Sequence, residues 1–224
     1  MRMRRRSRQD DAVEQADRTH EEGAEGSGAT GDLSADPRAN GPWDASEVEL
    51  DEEDGSRVHL GALAIAGRPG VEVRLQADQA SGQVQSVLLV AEDGAMELRP
   101  FAAPRHESIW DDTRERLAAE ATRRGGRAAE VEGPYGPALQ MVLPAVAPDG
   151  TQGTQTSTVL GIVGPRWLLR VSTFGRPAVS YDDNELLEKV LRDVVVVRGT
   201  QPMSPGEPLP LTLPPGARQV SSPA

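Results

Sequence analysis

Cysteine is absent from the 224 residues, which excludes disulfides, thiolate chemistry and cysteine-ligated zinc, and suits a reducing compartment. Lysine is nearly absent too: of 24 basic residues only Lys189 is not arginine, a bias of genome composition rather than a phosphate-reading device. Seven aromatic residues are too few for a base-stacking platform. The histidines, His20, His59 and His106, do not fall at ligand spacing with one another, so no metal site is assigned. No GxSxG, HExxH or GxxxxGK[ST] motif occurs, and no serine has a local activating context. No catalytic residue and no cofactor is therefore assigned. No apolar run reaches the roughly eighteen residues of a membrane span, and the basic start MRMRRRSRQDD precedes no apolar segment. A cytoplasmic location, without a secretory signal, is the expectation.

What is present is acidity, and it is uneven. Residues 1–56 carry 16 Asp and Glu against 7 Arg, a balance of −9 out of a net −11, whereas residues 57–200 carry 18 against 16. The charge thus belongs to the N-terminal part. It repels nucleic acid and anionic lipid, so stable binding to either is not expected, even with Arg2, Arg4, Arg5, Arg6 and Arg8 at the start.

Four segments follow from composition. Residues 1–40 hold almost nothing that can be buried and read as a disordered tail. Residues 41–56, GPWDASEVELDEEDGS, form an acidic linear motif whose apolar members are Trp43, Val48 and Leu50. Residues 57–200 read as one α+β domain. Residues 201–224 contain seven prolines and include PLPLTLPP, which favours an extended segment, with Leu209, Leu211 and Leu213 alternating toward the domain.

Inside the domain, period-2 alternation predicts strands over 57–65, 71–77, 83–92 and 95–102, with Asp93-Gly94 as a hairpin turn. The period becomes helical at Ser108. Ser108 with Asp111 has the form of a capping box, Trp110, Thr113, Leu117 and Ala121 form a stripe, and Gly125-Gly126 ends the helix. Strands are expected again over 127–133, 138–146, 154–164 and 166–175. A last helix starts near Asp182 with Leu187, Val190, Leu191 and Val194 buried, and with Glu185–Lys189 and Glu188–Arg192 as i,i+4 pairs on its wet side. VVVV (194–197) ends that helix or forms a short strand. Strands and then a helix, twice, with hairpin turns, predict an antiparallel sheet of about six to eight strands under two covering helices.

The strings LGALAI, VRLQ, FAAPRHESIWDDTRERLAAEATRRGG, EVEGPYG, GPRWLLR and DVVVVRG, with GPWDASEVELDEED before them and PMSPGEPLPLTLP after, resemble an actinobacterial family catalogued as a domain of unknown function. The resemblance spans roughly residues 41–215. It implies no activity; members of that family are often encoded near a dUTPase and a small OB-fold protein. In architecture the pattern is similar to the Mog1/PsbP-like α/β/α sandwich, a fold that mostly hosts binding and assembly proteins, though function does not follow from fold.

Two surfaces are candidates for binding. Trp43, Val48 and Leu50 dock as apolar anchors in a carboxylate-solvated segment, either on this domain or on a partner. Arg99, Arg105, Arg166, Arg170 and Arg176, with His106 on the loop before the first helix, form an anion patch if their elements converge. The leading expectation is a non-catalytic interaction or scaffold module with a protein partner. The alternative is a small-molecule or anion-binding domain, nucleotide-related, that uses the arginines. A closed pocket lined by His106, Arg105 and Asp111 favours the alternative, and an exposed apolar groove favours the first.

Overall fold

The computed structural model describes residues 36–51, 55–78, 80–147, 149–182 and 185–214. All of them belong to one unit, Ala35–Ala224. The tail expected over 1–40 lies outside the described residues as far as residue 35, as do Arg2 to Arg8, His20 and the segment beyond Pro214.

Alternation of apolar and polar residues builds a seven-stranded sheet. Its strands are β4 (Glu72–Ala77), β5 (Val84–Ala91), β6 (Gly94–Ala102), β7 (Arg127–Gly133), β8 (Gly136–Val146), β9 (Gln152–Gly164) and β10 (Trp167–Gly175). They lie in the order β4-β5-β6-β10-β9-β8-β7, and every pairing is antiparallel. A smaller sheet has the order β1-β11-β3-β2, from β1 (Trp43–Asp44), β2 (Arg57–His59), β3 (Leu63–Ala66) and β11 (Val195–Val196).

The two faces of the large sheet separate by residue parity. On one face Leu139, Val159 and Leu168 meet Trp110 of α1 (Trp110–Arg123). On the other, Val87, Leu89, Leu98, Ile162, Leu169 and Val171 join Leu63 and Ile65 of β3 and Leu187, Val190, Leu191 and Val194 from α2 (Leu186–Asp193) and its end. The result is α+β, with the sheet between two helices as in an α/β/α sandwich. An eight-residue helix is marginal alone. Burying each of these large aliphatic side chains contributes about 1.5–3 kcal/mol, so α2 is held by packing rather than by propensity.

Several local expectations need correction. The stretch 57–65 is two strands that pair with each other, because Gly61 (φ 75°) turns the chain and Ala62 N–H donates to Pro210 O. The β5–β6 turn is centred on Glu92-Asp93, and Gly94 already pairs with Ala91. A Cβ on Gly94 would lie 2.5 Å from Pro177, so the glycine serves close packing. Ser108 makes no capping box: its Oγ accepts from Trp110 N–H, and Ile109 precedes the helix. α2 starts at Leu186, and within VVVV only Val195–Val196 forms a strand.

Both flanking segments are tied to the domain. β1 runs parallel to β11, with Trp43 N–H donating to Val194 O and Ala45 N–H to Val196 O. The C-terminal arm bridges Gly61, Val84 and Phe101 through Leu211 and Pro208, burying Leu209 and Leu211 and leaving Leu213 exposed.

Candidate functional site

The residues nominated from sequence do not come together in a pocket. Trp43, Val48 and Leu50 are each partly buried along the segment that β1 anchors on the domain's own sheet. Beside them Asp44 accepts the Trp167 indole N–H at 2.7 Å, and the Arg38 guanidinium lies 5.3 Å over the same ring. Arg38 also clasps Glu47 through both oxygens, at 3.0 and 3.1 Å, which holds that carboxyl below its usual range. Gly41 (φ 85°) admits the close approach: a Cβ there would sit 2.0 Å from Arg192 O.

The arginines do not all converge. Arg166 and Arg176 flank the two ends of nine-residue β10, about 30 Å apart at strand rise. Arg99 and Arg170 are cross-strand partners on the α1 side of the sheet; Arg99 is bound to Glu97, and Arg170 lies 5.2 Å over Phe101. Burial, and then Arg99, lower the Arg170 pKa. Arg105 and His106 are exposed on the loop before α1. The five arginines therefore do not share one patch, although Arg99 and Arg170 adjoin.

The cleft that does form lies elsewhere. Its wall is the β7–β8 turn at Gly133-Pro134, its base is Thr158 and Leu160 of β9 and Thr173 of β10, and its rim is Pro177 and Ala178 of the 3-10 turn and the chain after it. Glu185, just before α2, and Glu188 in its first turn close it, around a volume of about 220 Å³. Thr158 Oγ1 fixes the rim by donating to Ala178 O at 2.8 Å, and Thr173 Oγ1 donates to Thr158 O at 3.0 Å.

Glu188 is 1% exposed, so the expectation that it lies on the wet face of the helix is overturned. Its i,i+4 pair with Arg192 forms at 3.2 Å, but the carboxylate is roofed by two phenols: Tyr135 OH donates to its Oε1 at 2.7 Å and Tyr181 OH at 3.1 Å. These are the only two tyrosines of the chain. Glu185 is also buried and meets Arg176, which is shared with Asp93, rather than Lys189, which is exposed. Burial first, then Asp93, Asp182 and Glu188, push the Glu185 carboxyl up against the pull of Arg176. Burial and then the Glu188 charge raise the Tyr135 phenol well above its usual value, so it keeps its proton and acts as a donor.

Chemically the cleft offers acceptors and negative charge inside apolar walls of Met96, Val131, Leu160 and Pro177. Among the described residues no three His, Cys, Asp or Glu side chains cluster to hold a metal ion. Sequence reasoning missed Tyr135, Tyr181, Glu185 and Glu188 as a group. The available signal was the pair of tyrosines, each adjoining a turn in a chain poor in aromatics.

Among solved structures, the solution structure of cyanobacterial PsbP (CyanoP) from Synechocystis sp. PCC 6803 is similar at a TM-score of 0.34 and 10% identity, covering 66% of this chain and 98% of that one. None of the curated proteins matches the chain. The matching family model is "Protein of unknown function (DUF3710)", aligned over residues 41–220, and the chain belongs to that family.

Proposed function

We propose that the protein is a non-catalytic binding module that acts through contacts with a partner protein, and that the cleft at the first turn of α2 is its seat. The observation that carries this reading is the cleft's rim. Val179 and Tyr181, 68% and 46% exposed, stand beside a floor whose polar groups are sequestered. An exposed apolar rim around a desolvated centre is the arrangement in which interface anchors bind. The acidic motif around Trp43 is engaged in its own sheet, so it supports this reading only by fixing the fold.

A second reading, a small-molecule site, is favoured by the concave shape of the cleft and its apolar walls. The volume of about 220 Å³ falls below the roughly 300–1,000 Å³ of drug-sized pockets, which favours one side chain or a small group over a nucleotide.

The test is affinity capture with the full chain, its Val179→Asp variant and a control, Val146→Asp, at the far end of β8. The reading predicts that a specific partner is lost from Val179→Asp and kept by the control, at unchanged melting temperature. A partner lost equally from both, or from neither, contradicts it.

A further inference from the structure

On the face of the large sheet opposite the cleft, we infer that Arg99 and Arg170 form a seat for one carboxylate group, held between their guanidinia. The site is independent of the cleft reading. Thr173 lines the cleft from β10, whereas Arg170, three residues earlier on the same strand, projects from the other face.

The first argument is an accessible position in the fold. Arg99 of β6 and Arg170 of β10 stand directly opposite each other, so their side chains leave the sheet on one face within reach of each other. α1 lies against β7 and β8, and its Trp110 sits over Gly161, the β9 partner of Arg170. Toward the β4 edge the same face carries Glu72, Arg74 and Gln76, all exposed. Arg99 keeps 31% of its side chain in solvent, and Arg170 is partly exposed.

The second argument is a deficit of acceptors. Arg99 places Nε and Nη2 3.0 Å from a single oxygen, Glu97 Oε1, which also has Ser86 Oγ at 2.8 Å. Arg99 Nη1 meets no acceptor among the described residues. Arg170 makes no hydrogen bond and no ion pair among them; its contact is the Phe101 ring at 5.2 Å. A ring face attracts a cation but offers no oxygen to the five N–H donors of a guanidinium.

The third argument is charge, and it selects the ligand. Two guanidinia face one carboxylate, that of Glu97, so the cluster lacks one negative charge; Arg74, on β4, is already paired with Glu72. Like charges directly opposed across a strand pair repel each other. Burial, then Arg99, lower the Arg170 pKa against the pull of Glu97, in keeping with a cation short of counter-charge. A monoanion restores the balance. A phosphate dianion or a nucleic acid is opposed by Glu97 at the site and by the chain's net charge of −11. A planar carboxylate also matches the fork of a guanidinium.

The test is titration of the full ¹⁵N-labelled chain, at constant ionic strength, with sodium acetate, capped Gly-Glu-Gly, capped Gly-Gln-Gly and inorganic phosphate. Arginine Nε–Hε and backbone amide signals are followed. The expected result is saturable shifts at Arg99, Arg170 and the amides of residues 97–101 and 168–172 with acetate or the Glu peptide, and binding of the Gln peptide about tenfold weaker. Arg170→Gln weakens carboxylate binding about tenfold; Arg99→Gln does the same and supplies the readout if Arg170→Gln unfolds, while Arg74→Gln leaves binding unchanged. Acetate binding at least as tightly as the Glu peptide assigns the seat to a free organic acid, and a tighter Glu peptide assigns it to an acidic side chain of a protein. No saturable shift with either carboxylate, equal binding of the Gln peptide, or phosphate binding tighter than both carboxylates would overturn the seat, the last in favour of a dianion. Carboxylate binding that survives both Arg99→Gln and Arg170→Gln would overturn it too, by placing the ligand elsewhere.

Discussion

Trp167 donates its indole N–H to Asp44 Oδ2 over 2.7 Å, joining positions 123 apart in sequence and burying one carboxylate of the acidic segment against the centre of the domain. The second oxygen of Asp44 is not idle: Oδ1 accepts Ser46 N–H and Oγ. A carboxylate fully supplied with donors is tolerated where a bare one is not. This is how one acid of the segment is accommodated against the Trp167 indole in the core.

Asp44→Ala leaves the Trp167 N–H without its acceptor in the core, at an expected cost of about 1–3 kcal/mol. For a domain of this size that lowers the melting temperature by about 2–4 °C per kcal/mol. Asp44→Asn keeps an acceptor and loses less. Thermal melts of both variants decide the matter, and two curves that overlay the wild type would remove the bond from the account.

Gly161 lies under the Trp110 ring, where a Cβ would come within 2.1 Å of the indole. Gly161→Ala therefore displaces Trp110, whose Nε1 donates to Pro137 O, and overpacking of this kind costs about 1–3 kcal/mol. In a Trp110→Leu background the same substitution costs little. A double-mutant cycle by urea unfolding measures the coupling, and additive losses would contradict the contact.

The C-terminal arm contributes unevenly along its length. Leu209→Ala and Leu211→Ala remove buried side chains, each with an expected loss of about 2–5 kcal/mol, whereas Leu213→Ala at 40% exposure stays within about 0.5 kcal/mol. Denaturant midpoints of the three variants give the order directly. A large loss at Leu213 would mean that the arm docks in another register.

Glu185 gives stability a pH dependence of known sign. Its folded-state pKa is raised, so between the unfolded and folded values the native state binds more protons, and this group makes stability fall as pH rises through that window. The burden is absent below the unfolded value and complete above the folded one. Glu185→Gln is expected to flatten that part of the stability curve, read as denaturant midpoints from pH 4 to 8. A steeper fall in the variant would reverse the assignment.

The sequence made the β5–β6 hairpin, α1 and the strands on either side of the β7–β8 turn legible, because each has a clean period and a turn of Gly, Pro or Asp. The break at Leu60–Ala62 was not legible. Alternation continues through it, and the bend depends on the C-terminal arm, whose Pro210 O accepts from Ala62 N–H about 150 residues later. The cleft was hidden for a related reason. Glu185 and Glu188 have the spacing of a solvated helix face, and only the β7–β8 turn and the chain around Tyr181 turn that face inward. Helical periodicity reports which side of a helix meets its sheet; it carries no information on a loop that later covers the other side.

The most direct measurement is hydrogen exchange of the full chain, alone and with its captured partner. The account predicts new protection at residues 133–136 and 177–188, with exchange of the β8–β9 hairpin end near residues 144–154 unchanged. Protection confined to that hairpin or to the face around Arg99 and Arg170, with the cleft exchanging as in the free protein, would contradict it.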